Sequence, residues 1–86
     1  MYYVYILFSQ RLNIFYKGIT QNPQKRLFEH NNDLSRFTAG KGPWDLVYLE
    51  EVNSKKDALL REKAIKKLNR RSILLLIKKY SENLKE

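Results

Sequence analysis

The sequence predicts an α+β fold, a small three-stranded antiparallel sheet flanked by helices in the order β-β-α-β-α-α. Three observations carry that expectation. Two β-branched and aromatic runs, "YYVYILF" and "FYKGI", are separated by the short polar segment 9–13, as in a hairpin. A third run, "WDLVYLEEV", alternates as a strand does. Helical stretches then open after Asn22, Ser54 and Asn69.

Taken in order, Tyr2 to Phe8 reads as a buried strand and Phe15 to Ile19 as its returning partner. Asn22 is a good N-cap and Pro23 a good first helical residue, so a helix is expected over about 23–31. "NNDLSRFTAGKGP" holds two of the three glycines and the second proline, and is the longest loop. After the third strand, Ser54 with Asp57 three residues on resembles a capping box, Asp standing in for Glu. That helix should reach about Leu68, and a last one carries "SILLLIKKY". The 86 residues suffice for one domain, 1–86, without repeats or linkers.

Composition narrows the function classes. The absence of cysteine excludes disulfides and thiolate metal sites and fits a reducing, cytoplasmic location. Tyr2 to Phe8 is too short to span a bilayer and lacks the flanks of a signal peptide, so no membrane role is expected. Charge is uneven. Residues 1–53 hold six Lys/Arg against five acids, a net of +1; residues 54–86 hold eleven against four, a net of +7. Such a cationic end suits a phosphate backbone, although a merely soluble basic helix pair has the same composition.

The hairpin raises a more specific question. Tyr3, Tyr5 and Leu7 share one strand face, and on the returning strand Tyr16 and Gly18 share one. In register, two phenols come close beside a residue with no side chain, where a bulge or the approach of a ligand is the usual reason for glycine. An aromatic core patch is the plainer alternative. On the following helix Arg26 and His30 are four apart and neighbours on one face, so a guanidinium and an imidazole join the phenols in a possible oxyanion cradle. Farther on, Glu62 falls among Ala58, Leu59 and Ile65 in helical projection. A carboxylate there is either half of an i,i+4 pair with Lys66 or a ligand for a hard cation.

Taken together, these segments resemble the GIY-YIG endonuclease superfamily, in particular its small single-domain bacterial members. Tyr3-Val4-Tyr5 matches the first signature segment and Tyr16-Lys17-Gly18 the second, with Tyr3 in place of the first motif glycine and Lys17 in place of the second motif isoleucine. Arg26 follows Gly18 at the family distance, and His30 lies one turn later. "FTAGKGPWDLVYLEE" and "ALLREKAIKKLNR" match the loop-strand and the glutamate helix.

The resemblance implies metal-assisted hydrolysis of DNA phosphodiesters. Tyr5 would deprotonate or orient the attacking water, which asks a nearby cation to favour its phenolate. Tyr16 would bind phosphate, and Arg26 would stabilise charge developing on it. Glu62 would hold one Mg²⁺ or Mn²⁺. His30 would be an auxiliary base or a phosphate ligand. Gly18 would let the scissile backbone approach, with Tyr3 and Lys17 beside it. Lys63, Lys66, Lys67, Arg70 and Arg71 would contact the backbone without reading bases. DNA is the expected nucleic acid rather than RNA, chosen by shape or through a partner protein, with the oligomeric state open. The competing expectations are a non-catalytic nucleic-acid-binding module attached to DNA repair or translation machinery, and a domain that docks an acidic protein.

Overall fold

The structure is a computed structural model in which residues 1–84 are described. Its elements follow the expected order: β1 (Tyr2–Ser9), β2 (Ile14–Thr20), α1 (Pro23–Asn31), β3 (Asp45–Val52), α2 (Lys55–Lys66) and α3 (Arg70–Asn83). The sheet runs β2-β1-β3, antiparallel throughout, so the first strand is central. Its sequence accounts for that position: Val4, Tyr5, Ile6 and Leu7 are all buried, and a strand covered on both faces needs apolar residues at consecutive positions.

Each helix starts on a side-chain cap. Asn22 accepts from the Lys25 amide, Ser54 from the Asp57 amide and Asn69 from the Ser72 amide, relieving amides that have no partner within the helix. Helix α2 stops at Lys66, short of the expected Leu68. Its buried face is also narrower than its apolar content implies. Ala58 and Ile65 are buried, whereas Leu59 and Leu60 are exposed.

The two sheet faces carry separate cores. On one, Val4, Ile6 and Tyr48 pack with Ala58 and Ile65 of α2 and Ile73 of α3. On the other, Tyr5, Leu7 and Trp44 pack with Tyr16, Leu27, Leu46 and Leu49. The register between β1 and β3 shifts at Ile6/Leu7, where Tyr48 pairs with Ile6 but Leu46 pairs with Leu7. That bulge keeps both Tyr48 and Leu46 turned to their own cores.

Gly18 is explained by this packing. It pairs with Tyr5, and a Cβ added there would lie 2.5 Å from the Tyr5 hydroxyl oxygen and 2.7 Å from Cζ. The gap in the strand is therefore filled by the protein's own phenol, correcting the expectation that it admits the scissile backbone. Gly18→Ala should destabilise the protein by about 1–3 kcal/mol, since a buried, hydrogen-bonded ring must move. In a Tyr5→Ala background the same change should cost under about 0.5 kcal/mol. Urea midpoints of the four proteins measure this coupling.

Candidate active site

Four elements converge on the Tyr5 hydroxyl. It lies 3.0 Å from His30 Nε2, and His30 Nδ1 lies 2.6 Å from Thr38 Oγ1. Rings complete the cluster: Tyr16 stands 6.4 Å from Tyr5, 5.0 Å from His30 and 6.4 Å from Trp44, edge-on to the last. The strand register places Tyr16 opposite Leu7 and diagonal to Tyr5. Helix α1 brings Arg26 and His30 to the same side, as their spacing of four requires.

Arg26 is held from several directions. Nη1 donates to Glu29 Oε1 at 3.1 Å and Nη2 to Ser35 Oγ at 3.3 Å. The guanidinium also stands beside the Tyr5 phenol and draws its pKa down. With a side chain still 32% exposed, Arg26 keeps donors free for an incoming anion. A shallow depression beside it is lined by Thr20, Gln21, Asn22, Lys25, Arg26 and Glu29.

Proton positions follow from these contacts. A cation beside the phenol oxygen turns the hydroxyl proton toward the other neighbour, His30 Nε2. His30 then carries its own proton on Nδ1 and donates to Thr38, whose hydroxyl donates to the Ser35 carbonyl at 3.5 Å. The assignment satisfies every buried side-chain polar atom, and none lacks a partner among the described residues.

Burial pushes the Tyr5 phenol up to about 12 against the pull of Arg26, with the charges of Tyr16 and Glu62 adding to the rise. Burial also lowers His30 to about 4, helped by the charge of Arg26 and opposed by Glu29. Burial thus opposes charge on both partners, so the resting pair is neutral phenol on neutral imidazole. The expectation of a cation favouring phenolate is met in sign by Arg26 and outweighed by burial.

The lowered His30 value has a consequence for stability. An unfolded imidazole protonates below about 6.5 and this folded one only near 4, so the unfolded state binds more protons in that window. Stability is therefore lost as pH falls through it, by about 2 kcal/mol between neutrality and pH ~5. Urea unfolding at both pH values measures this, and His30→Gln should remove most of the slope.

Several expected site residues differ in role or lie elsewhere. His30 is in the cluster, but both ring nitrogens are taken, by Tyr5 and Thr38, so it is not a direct phosphate ligand. Lys17 pairs with Ile6 and shares the face packed by α2 and α3, away from Tyr16. Tyr3 is half-buried opposite Thr20 and Glu51. Arg70 is committed to the hairpin: it donates to the Asn13 carbonyl and side chain and sits 5.0 Å from the Phe15 ring centroid. Lys63, Lys66, Lys67 and Arg71 are exposed.

Glu62 makes no hydrogen bond to the cluster, and its helix, α2, buries Ala58 and Ile65 in the core on the opposite sheet face. The charge of Glu62 makes the smallest contribution to the raised Tyr5 pKa. Its side chain is only 17% exposed, with Lys66 Nζ at 3.7 Å, beyond a good hydrogen bond. The contact with Lys66 is the i,i+4 pair of the sequence reading.

Sequence reasoning missed Ser35, Thr38, Trp44 and Glu29. Ser35 and Thr38 are buried polar residues of an irregular loop, where no periodicity says which side chains turn inward.

Three comparisons bear on this arrangement. The family model described as the GIY-YIG catalytic domain matches residues 1–81. A UPF0213 protein of Clostridium perfringens is 44% identical over 87 residues, covering 100% of this chain and 90% of its own length. One from Syntrophus aciditrophicus is 42% identical, covering 95% of each chain. The solution NMR structure of a UPF0213 protein from Bacillus halodurans superposes with a TM-score of 0.57 at 32% identity, covering 91% of this chain and 84% of that one.

Proposed function

Because the chain belongs to the GIY-YIG catalytic domain family, we propose that it is a divalent-metal-dependent endonuclease hydrolysing phosphodiester bonds of DNA, with selection by DNA shape. The observation that carries the reading is the convergence of Tyr5, Tyr16, Arg26 and His30. The family's nuclease character implies a nucleic-acid substrate. No helix among the described residues is long and apolar enough to cross a membrane.

Arg26 takes a phosphoryl oxygen on its free donors and stabilises charge as it develops there. Tyr16 donates to the same phosphate; its hydroxyl has no hydrogen-bond partner among the described residues. Tyr5, locked by His30 and Thr38, orients the attacking water and offers it a fixed oxygen. His30 acts through Tyr5 by accepting the hydrogen bond of its hydroxyl, a positioning role. Lys63, Lys66, Lys67 and Arg71 attract the backbone without sequence preference.

The donor set fits one hard cation. Among the described residues no three His, Cys, Asp or Glu side chains gather as a protein cage, so Glu62 would hold the ion with water and phosphate oxygens. A mostly buried carboxylate with only a distant lysine beside it is suited to that part. When bound, Mg²⁺ or Mn²⁺ supplies positive charge that polarises the phosphate.

The test is incubation of the protein with nicked, flapped, branched and single-stranded DNA, with metal or EDTA. Metal-dependent product on at least one form is expected. The high pKa of Tyr5 favours a second reading, a binding module without chemistry. Tight, salt-dependent binding without product on any form would establish that reading instead.

A further inference from the structure

The segment between α1 and β3 combines two properties. Its backbone is tightly fixed, and it presents large apolar side chains to water. Leu34 N donates to the Glu29 carbonyl at 2.9 Å, and Gly40 N to Asp33 Oδ1 at 2.9 Å. From the hairpin, Arg11 donates to the carbonyls of Gly40 at 2.7 Å and Gly42 at 2.9 Å, while Ser9 donates to that of Lys41 at 2.6 Å. Gly40 itself has φ +73°, a conformation that favours glycine, and it closes this turn. Ser35 and Thr38 point inward to Arg26 and His30. Yet Leu34 is 67% and Phe37 is 71% exposed.

The fold leaves the Phe37 side chain uncovered. Its neighbours indicate what covers it. Phe37 lies one residue from Thr38 and two from Ser35, which buttress the phosphate-binding candidates. The flanking side chains Arg36 and Lys41 are exposed cations, and the carboxylate of Asp33 is occupied by the Gly40 amide. An apolar ring with cations on both sides in sequence, on the loop that braces Arg26 and His30, matches a nucleobase on its own backbone better than an acidic protein surface. Stacked bases in a duplex offer no free face to such a ring.

We propose that Phe37, with Leu34 on the same loop, is a stacking platform for an unpaired nucleobase next to the scissile phosphate. The favoured substrate is then a single strand, or a duplex with an unpaired base at the cleavage position. This rests on the nuclease reading for the position of the phosphate, but it concerns binding, and is measured without cleavage. Fixing the loop in advance removes the ordering entropy that stacking would otherwise cost.

Fluorescence anisotropy in EDTA, with a short oligothymidylate and a duplex of equal length, tests it. Phe37→Ala should weaken single-strand binding by about fivefold or more, leaving duplex affinity and the salt slope unchanged. Phe37→Trp should retain single-strand affinity, whereas Phe37→Leu, apolar but without a π face, should behave like Phe37→Ala. Unchanged single-strand binding in Phe37→Ala, equal weakening on both probes, or full affinity in Phe37→Leu would overturn it. Failure of the nuclease reading is seen separately, as absence of metal-dependent product from the wild-type protein on every DNA form.

Discussion

Arg26→Ala should lower single-turnover cleavage by about 10²- to 10³-fold, the loss that follows removal of a donor aimed at charge developing in the transition state. The guanidinium is fixed by Glu29 and Ser35 and faces Tyr5, so little reorganisation is needed when phosphate arrives. Partial exposure makes its pair with Glu29 worth under about 1 kcal/mol, so the variant should unfold close to the wild-type urea midpoint. Arg26→Lys keeps the charge but not the fork, and should recover only part of the activity. A variant that cleaves at the wild-type rate removes Arg26 from the mechanism.

Glu62→Gln should abolish the metal-dependent part of cleavage, a loss of about 10³-fold if the ion supplies several kcal/mol. It should barely affect stability, because the contact with Lys66 spans 3.7 Å on a lysine that is 55% exposed. The two readings of Glu62 separate here. If the residue is only half of an i,i+4 pair, Lys66→Ala and Glu62→Gln should have equally small effects on cleavage. If it is the cation ligand, Lys66→Ala should be mild and Glu62→Gln severe.

Much of the fold was legible because its determinants are local. Polar caps and proline set the helix starts, and strand alternation set the sheet; Asn22, Ser54 and Asn69 all cap as their chemistry suggests. The pairing of Tyr5 with Gly18 was also within reach, since it needs only hairpin register. What occupies the gap was not, because only the folded ring position shows that Tyr5 itself fills it. Burial is the other hidden quantity. It makes His30, expected as an auxiliary base or a phosphate ligand, a buried neutral acceptor, and holds the Tyr5 phenol protonated. Arg70 shows the same limit. In the sequence it belongs to a basic run, while in space it grips the hairpin 57 residues away.

The central claim is that Glu62 places a divalent ion against the phenol cluster, and Mn²⁺ paramagnetic relaxation reads this directly. Titrating sub-stoichiometric Mn²⁺ into isotope-labelled protein should broaden the amide signals of Gly18, Tyr5 and residues around Glu62 first. Glu62→Gln should abolish that broadening while leaving the remaining spectrum in place. Broadening centred on Asp33, Glu50 or another acidic residue, or a pattern unchanged in Glu62→Gln, would contradict the account.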